Sequence, residues 1–322
     1  MQRHTLLPYL ILFGGVSIVS SAPILIRLAQ TGQMPSLTIA AGRLVLAALI
    51  LTPLALLRAG REIRQMKRNH VLFALASGAF LAAHIAVWIT SLEYTSVASS
   101  TILVTTNPIW VGIASYILFR ERLTSLTITG IAITFAGGLL VILSDATSSP
   151  HSNPLLGNIL ALFGAFGASA YFLAGRALRR QLSILPYIWV VYTTAASILV
   201  LLVLLTGQLP AVYTTQAVLA LLALALGPQL LGHTALNWSL GYLSATFVTI
   251  AILGEPIGSA ILAWFLFDER FTATTIYGYD LPLQLLGFIV LLSGIAMAAL
   301  GEEQQRTRVQ QRLIAQAQQE TI

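Results

Sequence analysis

The chain alternates long apolar stretches with short polar connections over nearly its whole length. Ten of these stretches approach the roughly 20 residues that an α-helix needs to cross a bilayer. Charged residues, Pro or Gly bound each of them, and they lie near residues 6–27, 36–57, 71–91, 97–119, 124–143, 155–175, 184–206, 215–238, 244–267 and 284–300. The pattern predicts an all-α integral membrane protein with ten transmembrane helices.

The chain also contains a repeat. Residues 91–122 and 239–270 match at a constant offset of 148 positions. The shared residues are Ser91, Leu92, Tyr94, Pro108, Ile109, Phe119, Glu121 and Arg122, which fall on Ser239, Leu240, Tyr242, Pro256, Ile257, Phe267, Glu269 and Arg270. Further on, Gly130 and Gly137 match Gly287 and Gly294 at an offset of 157, so the second copy carries an insert of nine residues near Thr275–Gln284.

Each half of the chain holds five of the ten predicted helices. Because five is odd, the second copy must cross the membrane in the opposite sense to the first. We therefore expect two inverted five-helix repeats around a central cavity, an arrangement typical of secondary transporters. The expected repeats are residues 1–147 and 148–300, and a cytoplasmic tail follows over 301–322.

Composition supports a membrane protein and narrows the chemistry. Hydrophobic residues make up 57% of the 322 and charged residues 9%, against roughly 45–50% and 25% in soluble domains, and the mean hydropathy is +0.85. The chain contains no cysteine, which excludes disulfides, thiolate catalysis and cysteine-ligated metals. No nucleotide-binding glycine loop or metal-spaced His/Asp/Glu set is visible, so we expect neither a cofactor nor a metal.

The positions of the basic residues predict the orientation. Lys and Arg in short loops stay on the cytoplasmic side. If the N-terminus is cytoplasmic, fourteen of the seventeen basic residues lie inside: Arg3, Arg58, Arg61, Arg64, Lys67, Arg68, Arg120, Arg122, Arg176, Arg179, Arg180, Arg306, Arg308 and Arg312. We therefore expect both termini of a multi-pass cytoplasmic-membrane protein to be inside. Topology then accounts for the net charge of +6 without nucleic-acid binding.

The two ends of the chain carry weaker signals. The apolar run after Arg3 is longer than the 7–15 residues of a signal-peptide core, so we expect it to remain as the first helix. The Gln-rich segment after Gly301 is expected to be solvated and partly disordered. Small-residue helix faces allow a monomer or a homodimer.

Two prolines inside predicted helices mark the candidate site. Pro256 follows Glu255 near the middle of the ninth helix, where a charged side chain usually faces a cavity or a partner. Pro108 follows Asn107 at the matching place in the fourth helix. Each proline frees the carbonyl four residues before it, so the pair predicts a site between two broken helices near the midplane, with Glu255 as the proton-coupling residue. The alternative is that Glu255 is protonated or hydrogen-bonded in a helix interface, with Gly254 and Gly258 in a close contact.

Other polar and aromatic side chains within the helices could line the same site. His84 and Trp88 share one face of the third helix, as do His233 and Asn237 on the eighth. Histidine titrates near neutral pH, and aromatic surfaces hold organic substrates. The candidate substrate-binding residues are His84, Trp88, Asn107, Trp110, Tyr171, His233, Asn237 and Trp238, and interhelical hydrogen bonding or packing remains the alternative for each.

One buried arginine and one serine allow further interpretations. Arg43 lies seven residues into the second helix and needs a partner, so it is a candidate for binding an anionic group, with a structural role as the alternative. Ser169 lies in a loose Gly-x-Ser-x pattern, and His233 could serve as its base in an intramembrane serine protease. A membrane scaffold that transports nothing is the other alternative, but buried Glu255 and Arg43 would then have no use.

The matched segments resemble an EamA-type member of the drug/metabolite transporter superfamily. The resemblance rests on Thr106–Ile109 and Phe119–Arg122, on Gly254–Ile257 and Phe267–Arg270, and on Gly130, Gly137, Gly138, Gly287 and Gly294. It covers residues 6–300 and implies two inverted five-helix repeats that work by alternating access and often export amino acids or other metabolites. The small-molecule substrate and any coupled proton are not identified by these motifs.

Overall fold

The computed structural model describes residues 6–119, 124–148, 152–179, 181–208, 212–243, 245–271, 273–276 and 279–319. These residues form ten helices, three of them in two segments, and one short hairpin. The helices are α1 (Leu7–Val19 and Ala22–Thr31), α2 (Ser36–Arg64), α3 (Arg68–Tyr94), α4 (Val97–Val104 and Asn107–Phe119), α5 (Ser125–Ser148), α6 (Pro154–Arg179), α7 (Ile184–Thr206), α8 (Thr215–Ser239), α9 (Ala245–Ile252 and Gly254–Phe267) and α10 (Leu283–Gln319).

Most of these helices meet the length and hydropathy requirement for crossing a membrane. In the described part of the chain eight stretches do so: Leu7–Thr31, Ser36–Arg64, Arg68–Tyr94, Ser125–Ser144, Pro154–Arg179, Ile184–Thr206, Thr215–Ser239 and Phe247–Phe267. The apolar part of α10, Leu283–Ala298, is shorter, and α4 is split into segments of 8 and 13 residues. The fold is an all-α membrane protein, and α4 differs from the continuous span expected over 97–119.

Helix breaks occur at prolines and at serines. α4 is interrupted at Thr105 and Thr106 and α9 at Leu253, in each case just before the segment that carries the proline. α1 is also interrupted, at Ser20 and Ser21, a break that the sequence did not predict. Both serine hydroxyls donate to carbonyls of the preceding turn, at 2.9 and 2.7 Å. Such bonds compete with the helical ladder, and Pro23 removes a further donor.

Pro228 has a different effect on α8. It lies inside a nine-residue π-helical segment, Ala225–His233, that interrupts an otherwise α-helical element. A proline cannot donate to the carbonyl four residues earlier, and a wider turn accommodates its ring without ending the helix. The π segment changes which side chains of α8 point toward the centre of the protein.

Two regions differ from the sequence-based expectation. The insert near Thr275–Gln284 contains a small antiparallel hairpin, β1 (Thr274–Ile276) and β2 (Tyr279–Leu281), so the chain is not purely helical. The tail expected to be partly disordered is instead the continuation of α10 as far as Gln319. No Gly or Pro occurs after Gly301, and the segment is rich in Glu, Gln, Arg and Ala, which are good helix formers.

The helix contacts follow a reciprocal pattern between the two halves. α1 packs against α8, and α6, its counterpart in the second half, packs against α3, the counterpart of α8. α2 packs against α7, α5 against α10, and the first segment of α4 against the second segment of α9. The second segment of α4 also packs against the first segment of α9, so exchanging the two halves leaves this list of contacts unchanged.

α5 and α10 approach each other backbone to backbone through the glycines that the repeats share. A β-carbon at Gly294 would lie 2.5 Å from the backbone nitrogen of Thr134, and one at Gly287 would lie 2.9 Å from the carbonyl oxygen of Gly137. Gly130 is equally blocked by the backbone of Ala298. Small residues at such positions let membrane helices pack closely without a hydrophobic driving force.

Burial is arranged as a bilayer requires. Large apolar side chains such as Leu57 and Phe265 are 86% and 71% exposed on the outside of the bundle, where lipid tails would cover them. The interior holds polar groups, among them Arg43, Gln229 and Glu255. Polar side chains in the interior of a membrane bundle usually mark a functional pathway.

Candidate functional site

A small cavity lined by mostly buried residues lies where six helices meet. α1, α3, α4, α6, α8 and α9 supply its lining residues, which are Val19, His84, Trp88, Val104, Thr105, Asn107, Ala168, Phe172, His233, Leu236, Ile252 and Glu255. Its volume is about 30 Å³. Such a space can hold water but is far smaller than the roughly 300–1,000 Å³ of a typical ligand pocket.

Five of the residues singled out from the sequence meet at this cavity: His84, Trp88, Asn107, His233 and Glu255. They come from α3, α4, α8 and α9, so all four helices must pack correctly to bring them together. Asn107 is 4% exposed and Glu255 is 6% exposed. The two residues that precede the helix-breaking prolines Pro108 and Pro256 thus line one space.

His84 and Trp88 form an aromatic wall on α3. Their rings stack with centroids 5.7 Å apart and an angle of 8° between the planes. Nδ1 of His84 lies 2.9 Å from the carbonyl oxygen of Gly164, and since a carbonyl only accepts, Nδ1 carries the hydrogen. Glycine at 164 and 167 allows α6 to come close enough for this bond, because a β-carbon at Gly167 would lie 3.1 Å from the His84 backbone nitrogen.

The side chain of Asn107 hydrogen-bonds to the backbone carbonyl that Pro108 leaves without a helical partner. With its amide nitrogen directed at the two nearby oxygens, Asn107 donates to the carbonyl of Val104 at 3.1 Å and to that of Ala165 at 3.0 Å. The carbonyl of Val104 is the one that Pro108 frees. The expected kink is therefore present, but its free carbonyl is taken by the side chain of Asn107, which also connects α4 to α6.

Glu255 lies in the first turn of the second segment of α9. Backbone N–H groups at a helix start have no helical partner and favour a negative charge. Gly254 and Gly258 on the same segment pack against α1, and a β-carbon at Gly258 would lie 2.7 Å from Oγ of Ser20. The close glycine contact considered as an alternative is thus present, and it faces α1 while Glu255 faces the cavity.

Arg43 and Gln229 form a second polar layer beside the cavity. The Arg43 side chain is fully buried, and its Nε donates to Oε1 of Gln229 at 3.0 Å. Among the residues that the structure describes, neither Nη1 nor Nη2 of Arg43 has a hydrogen-bond partner, and no carboxylate lies within 4.0 Å. Glu255, Tyr171 and Tyr192 are near enough to interact with its charge electrostatically.

Tyr171, His233 and Asn237 connect this layer to the cavity. The amide of Asn237 donates to the hydroxyl of Tyr171 and, at 2.6 Å, to the carbonyl oxygen of His233. The rings of Tyr171 and His233 lie 6.4 Å apart. Nδ1 of His233 and Oδ1 of Asn237 have no partner within the described residues. Buried polar atoms without partners are expensive and often mark a place that a ligand or water completes.

Two aromatic residues proposed from the sequence lie elsewhere. Trp110 donates to the hydroxyl of Thr106 at 3.2 Å, meets Phe166 edge to face, and lines a separate apolar groove of about 340 Å³ between α4, α5, α6 and α10. The ring of Trp238, near the end of α8, lies 4.3 Å from that of Tyr242 between centroids, at an angle of 37°. Neither lines the central cavity in this conformation.

The protease arrangement is not assembled. Oγ of Ser169 lies 2.8 Å from the carbonyl oxygen of Ala165 and 3.2 Å from that of Asn107. His233 instead approaches Tyr171. A serine nucleophile requires a hydrogen bond to its base, and Ser169 instead bonds to backbone carbonyls of α6 and α4. In the part of the chain that the structure describes, no three His, Asp or Glu side chains cluster as metal ligands.

Sequence reasoning missed Gln229 and Tyr192. Gln229 is a polar residue beside Pro228 in an apolar helix, the same signal that pointed to Glu255 and Asn107, and it could have been found on that ground. The sequence did not indicate Tyr192 as a site residue, because tyrosines in membrane helices are common and usually serve packing. Its hydroxyl lies 3.4 Å from both the carbonyl of Gln229 and the hydroxyl of Thr234.

Two arginines make corresponding bonds in the two halves. Nη2 of Arg27, near the end of α1, donates to the carbonyl oxygen of Thr95 at 2.9 Å, and Nη1 of Arg176, near the end of α6, donates to that of Leu243 at 2.8 Å. Thr95 and Leu243 are separated by the same 148 positions as the sequence repeat. The two bonds occupy corresponding places, one after α3 and the other after α8.

Comparison with known proteins gives two matches to one family model within this chain. Residues 6–143 and 155–300 each match the EamA-like transporter family. Among curated proteins of Bacillus subtilis, the chain is similar to the uncharacterized transporter YdfC, with 24% identity over 277 residues that make up 85% of each chain. It is also 32% identical to the uncharacterized transporter YetK over 97 residues, which are 29% of either chain, so that match spans less than a third of YetK.

The fold is also found among solved structures. A crystal structure described only as that of a protein superposes with a TM-score of 0.62 and covers 91% of this chain and 96% of its own. Sequence identity to that structure is 17%, so the likeness concerns the fold alone.

Proposed function

The chain belongs to the EamA-like transporter family, and on that premise we propose that it moves a small amphiphilic metabolite, with an amino acid as the first candidate, across the cytoplasmic membrane by alternating access. The observation that carries this proposal is the small internal cavity, which His84, Trp88, Asn107, His233 and Glu255 line from four helices. An aromatic wall and polar groups on one small space suit a compound that is partly apolar and partly polar. The family is one of transporters and not of enzymes.

We propose the inverted arrangement of two five-helix repeats, over residues 1–147 and 148–300, with 301–322 as a cytoplasmic extension. The two family matches and the reciprocal helix contacts support it. Related repeats of opposite orientation can exchange conformations, and this exchange opens a shared site to alternate sides. The breaks in α1, α4 and α9 lie beside the site and supply places where the segments can tilt.

The proposed orientation has both termini in the cytoplasm, as the distribution of Lys and Arg favours. Cysteine labelling tests it without background because the chain has no cysteine. A cysteine at Asp280 in β2 should react with an impermeant maleimide in intact cells, whereas one at Gln65 after α2 should react only after the membrane is permeabilised. The reverse pattern would invert the topology.

We propose Glu255 as the group that couples transport to protons, if a proton gradient drives it. The carboxyl faces the cavity and interacts electrostatically with Arg43. A carboxyl reached from alternate sides could take up a proton on one side and release it on the other. Export is the proposed direction, as the family resemblance implies.

Proteoliposomes test the proposed function. The purified chain is reconstituted and exposed to a panel of amino acids and related metabolites, with and without a pH gradient, and uptake is measured by mass spectrometry. We expect saturable uptake of at least one compound above that of empty liposomes. Absence of uptake and of exchange for the whole panel would contradict the proposal.

A further inference from the structure

We propose that Arg43 and Gln229 form the binding subsite for a carboxylate group of the transported compound, which makes the substrate an organic acid or a zwitterion. This inference rests on the proposed transport function and assigns the group that the central site recognises. It is carried by a cluster of buried hydrogen-bond donors that have no acceptor among the residues that the structure describes.

Arg43 supplies two of these donors. Its guanidinium is fully buried in the membrane-spanning part of α2, and the bond from Nε to Oε1 of Gln229 fixes its orientation. Nη1 and Nη2 then remain without partners among the described residues. A guanidinium presents its N–H groups in a planar fork that matches a carboxylate, and it keeps its charge in nearly every environment.

Gln229 supplies the third donor. Because its oxygen accepts from Arg43, its amide nitrogen is the free end, and that nitrogen also has no partner among the described residues. A carboxylate offers two oxygens with about four acceptor positions, enough for the free N–H groups of these two neighbouring side chains. Unlike the tyrosine hydroxyls nearby, these three groups can only donate, so the missing partner is an acceptor.

The π segment of α8 places this subsite next to the cavity. Gln229 and His233 lie four residues apart in Ala225–His233, close to one turn of a π-helix, and His233 lines the cavity. π segments inside α-helices frequently occur at functional sites. A compound with its carboxylate at Arg43 would extend past His233 toward the stacked rings of His84 and Trp88.

Glu255 is an internal anion that could compete for Arg43. Glu255 interacts electrostatically with Arg43, but no oxygen of Glu255 lies within 4.0 Å of the guanidinium. Among the residues that the structure describes, no ion pair therefore occupies the fork of Arg43. A substrate carboxylate would accept the hydrogen bonds from Arg43 and Gln229 that Glu255 is too far away to accept.

Binding is tested by the thermal unfolding of the purified full chain with matched probes. The probes are L-phenylalanine, 3-phenylpropionate, L-phenylalaninamide and phenethylamine, and the corresponding four compounds built on leucine. Ligands that bind the folded state raise the unfolding temperature. We expect stabilisation by carboxylate members of at least one set, and none by the amide or the amine. Equal stabilisation by the amide, or no stabilisation by any carboxylate, would overturn the proposal.

Two substitutions locate the binding site. Arg43→Lys keeps the charge but loses the planar fork, and we expect about tenfold weaker carboxylate binding. Gln229→Glu places an internal carboxylate against Arg43, so the chain should remain folded while probe binding falls by a similar factor. Gln216→Glu, an exposed position on the same helix, is the matched control and should bind as the wild type does. Wild-type binding in Gln229→Glu would overturn the subsite.

The same proteins separate this inference from the proposed function. Carboxylate binding without transport of any compound would leave the subsite in place and contradict the transport proposal. A second outcome would contradict the subsite and support the transport proposal. In that outcome the wild type transports amines or neutral compounds but no carboxylate, and Arg43→Lys and Gln229→Glu transport the same compounds at the wild-type rate.

Discussion

Nη2 of Arg27 donates a 2.9 Å hydrogen bond to the backbone carbonyl of Thr95 and so joins the end of α1 to the end of α3. Close by, the carboxylate of Glu269 accepts from the backbone N–H of Val97 at 2.6 Å and joins the end of α9 to the start of α4. Under the proposed topology this corner lies at the outer mouth, and the bond from Arg176 to Leu243 lies at the cytoplasmic mouth.

Removing the two arginine bonds should therefore shift access in opposite directions. A hydrogen bond to a charged group contributes about 1.5–3 kcal/mol, which corresponds to a factor of about ten or more in an opening equilibrium. With a cysteine at the cavity residue Ala168, we expect Arg27→Met to raise labelling by an impermeant external maleimide, and Arg176→Met to lower it. Changes of the same sign in both variants would show that the bonds are not a matched pair.

The contact between α5 and α10 should be intolerant of a single methyl group. The backbone of Leu291 blocks the β-carbon position of Gly137, whereas at Gly138 the nearest atom would be a flexible leucine methyl at 3.6 Å. Overpacking of this kind costs about 1–3 kcal/mol. We expect Gly137→Ala to lower the unfolding temperature in detergent while its neighbour Gly138→Ala leaves it nearly unchanged. Equal stability of the two variants would place the contact elsewhere.

Asn107 should depend on its role as a donor. Its amide faces two carbonyl oxygens, so an aspartate carboxylate there would meet like partial charges on Val104 and Ala165. An unsatisfied buried polar group costs about 1–3 kcal/mol. We expect both Asn107→Asp and Asn107→Ala to be less stable than the wild type at neutral pH, with Asp the worse, as judged by thermal unfolding. An Asp variant as stable as the wild type would mean that the amide is not pinned by these carbonyls.

Glu255→Gln separates coupling from binding. The substitution keeps size and hydrogen-bonding capacity but removes the titratable proton. We expect uptake driven by a pH gradient to fall at least about tenfold, as removal of an essential proton carrier implies, while gradient-free exchange of the same compound continues. If the variant keeps the wild-type rate and pH profile under a gradient, Glu255 has a structural role.

The positions of the helices follow directly from apolar run length, which is why they could be predicted. The breaks at Pro108 and Pro256 could also be predicted, because the missing donor of proline has a fixed effect. The break at Ser20 and Ser21 could not, since serine hydroxyls only compete with the helix when packing favours it. The helical continuation to Gln319 was not predicted, because the polarity of this segment suggested disorder. Its residues nevertheless have high helix propensity.

The central site was partly predictable for a similar reason. A polar side chain in an apolar helix must face the interior, so His84, His233 and Glu255 could be expected near one another. Trp110 and Trp238 are amphipathic and can face a groove or a helix end equally well. The position of Gln229 depends on the π segment, which shifts the face that α8 presents and leaves little trace in the sequence beyond Pro228.

If the cavity is the proposed substrate site, its volume of about 30 Å³ limits how tightly a substrate can be bound. A compound could then bind only to an expanded conformation, and the measured affinity would be reduced in proportion to the fraction of protein molecules in that conformation. A substrate that makes many favourable contacts with the protein could therefore still bind weakly. Compounds too large to be enclosed, but able to wedge the helices apart, should act as blockers that hold one face open.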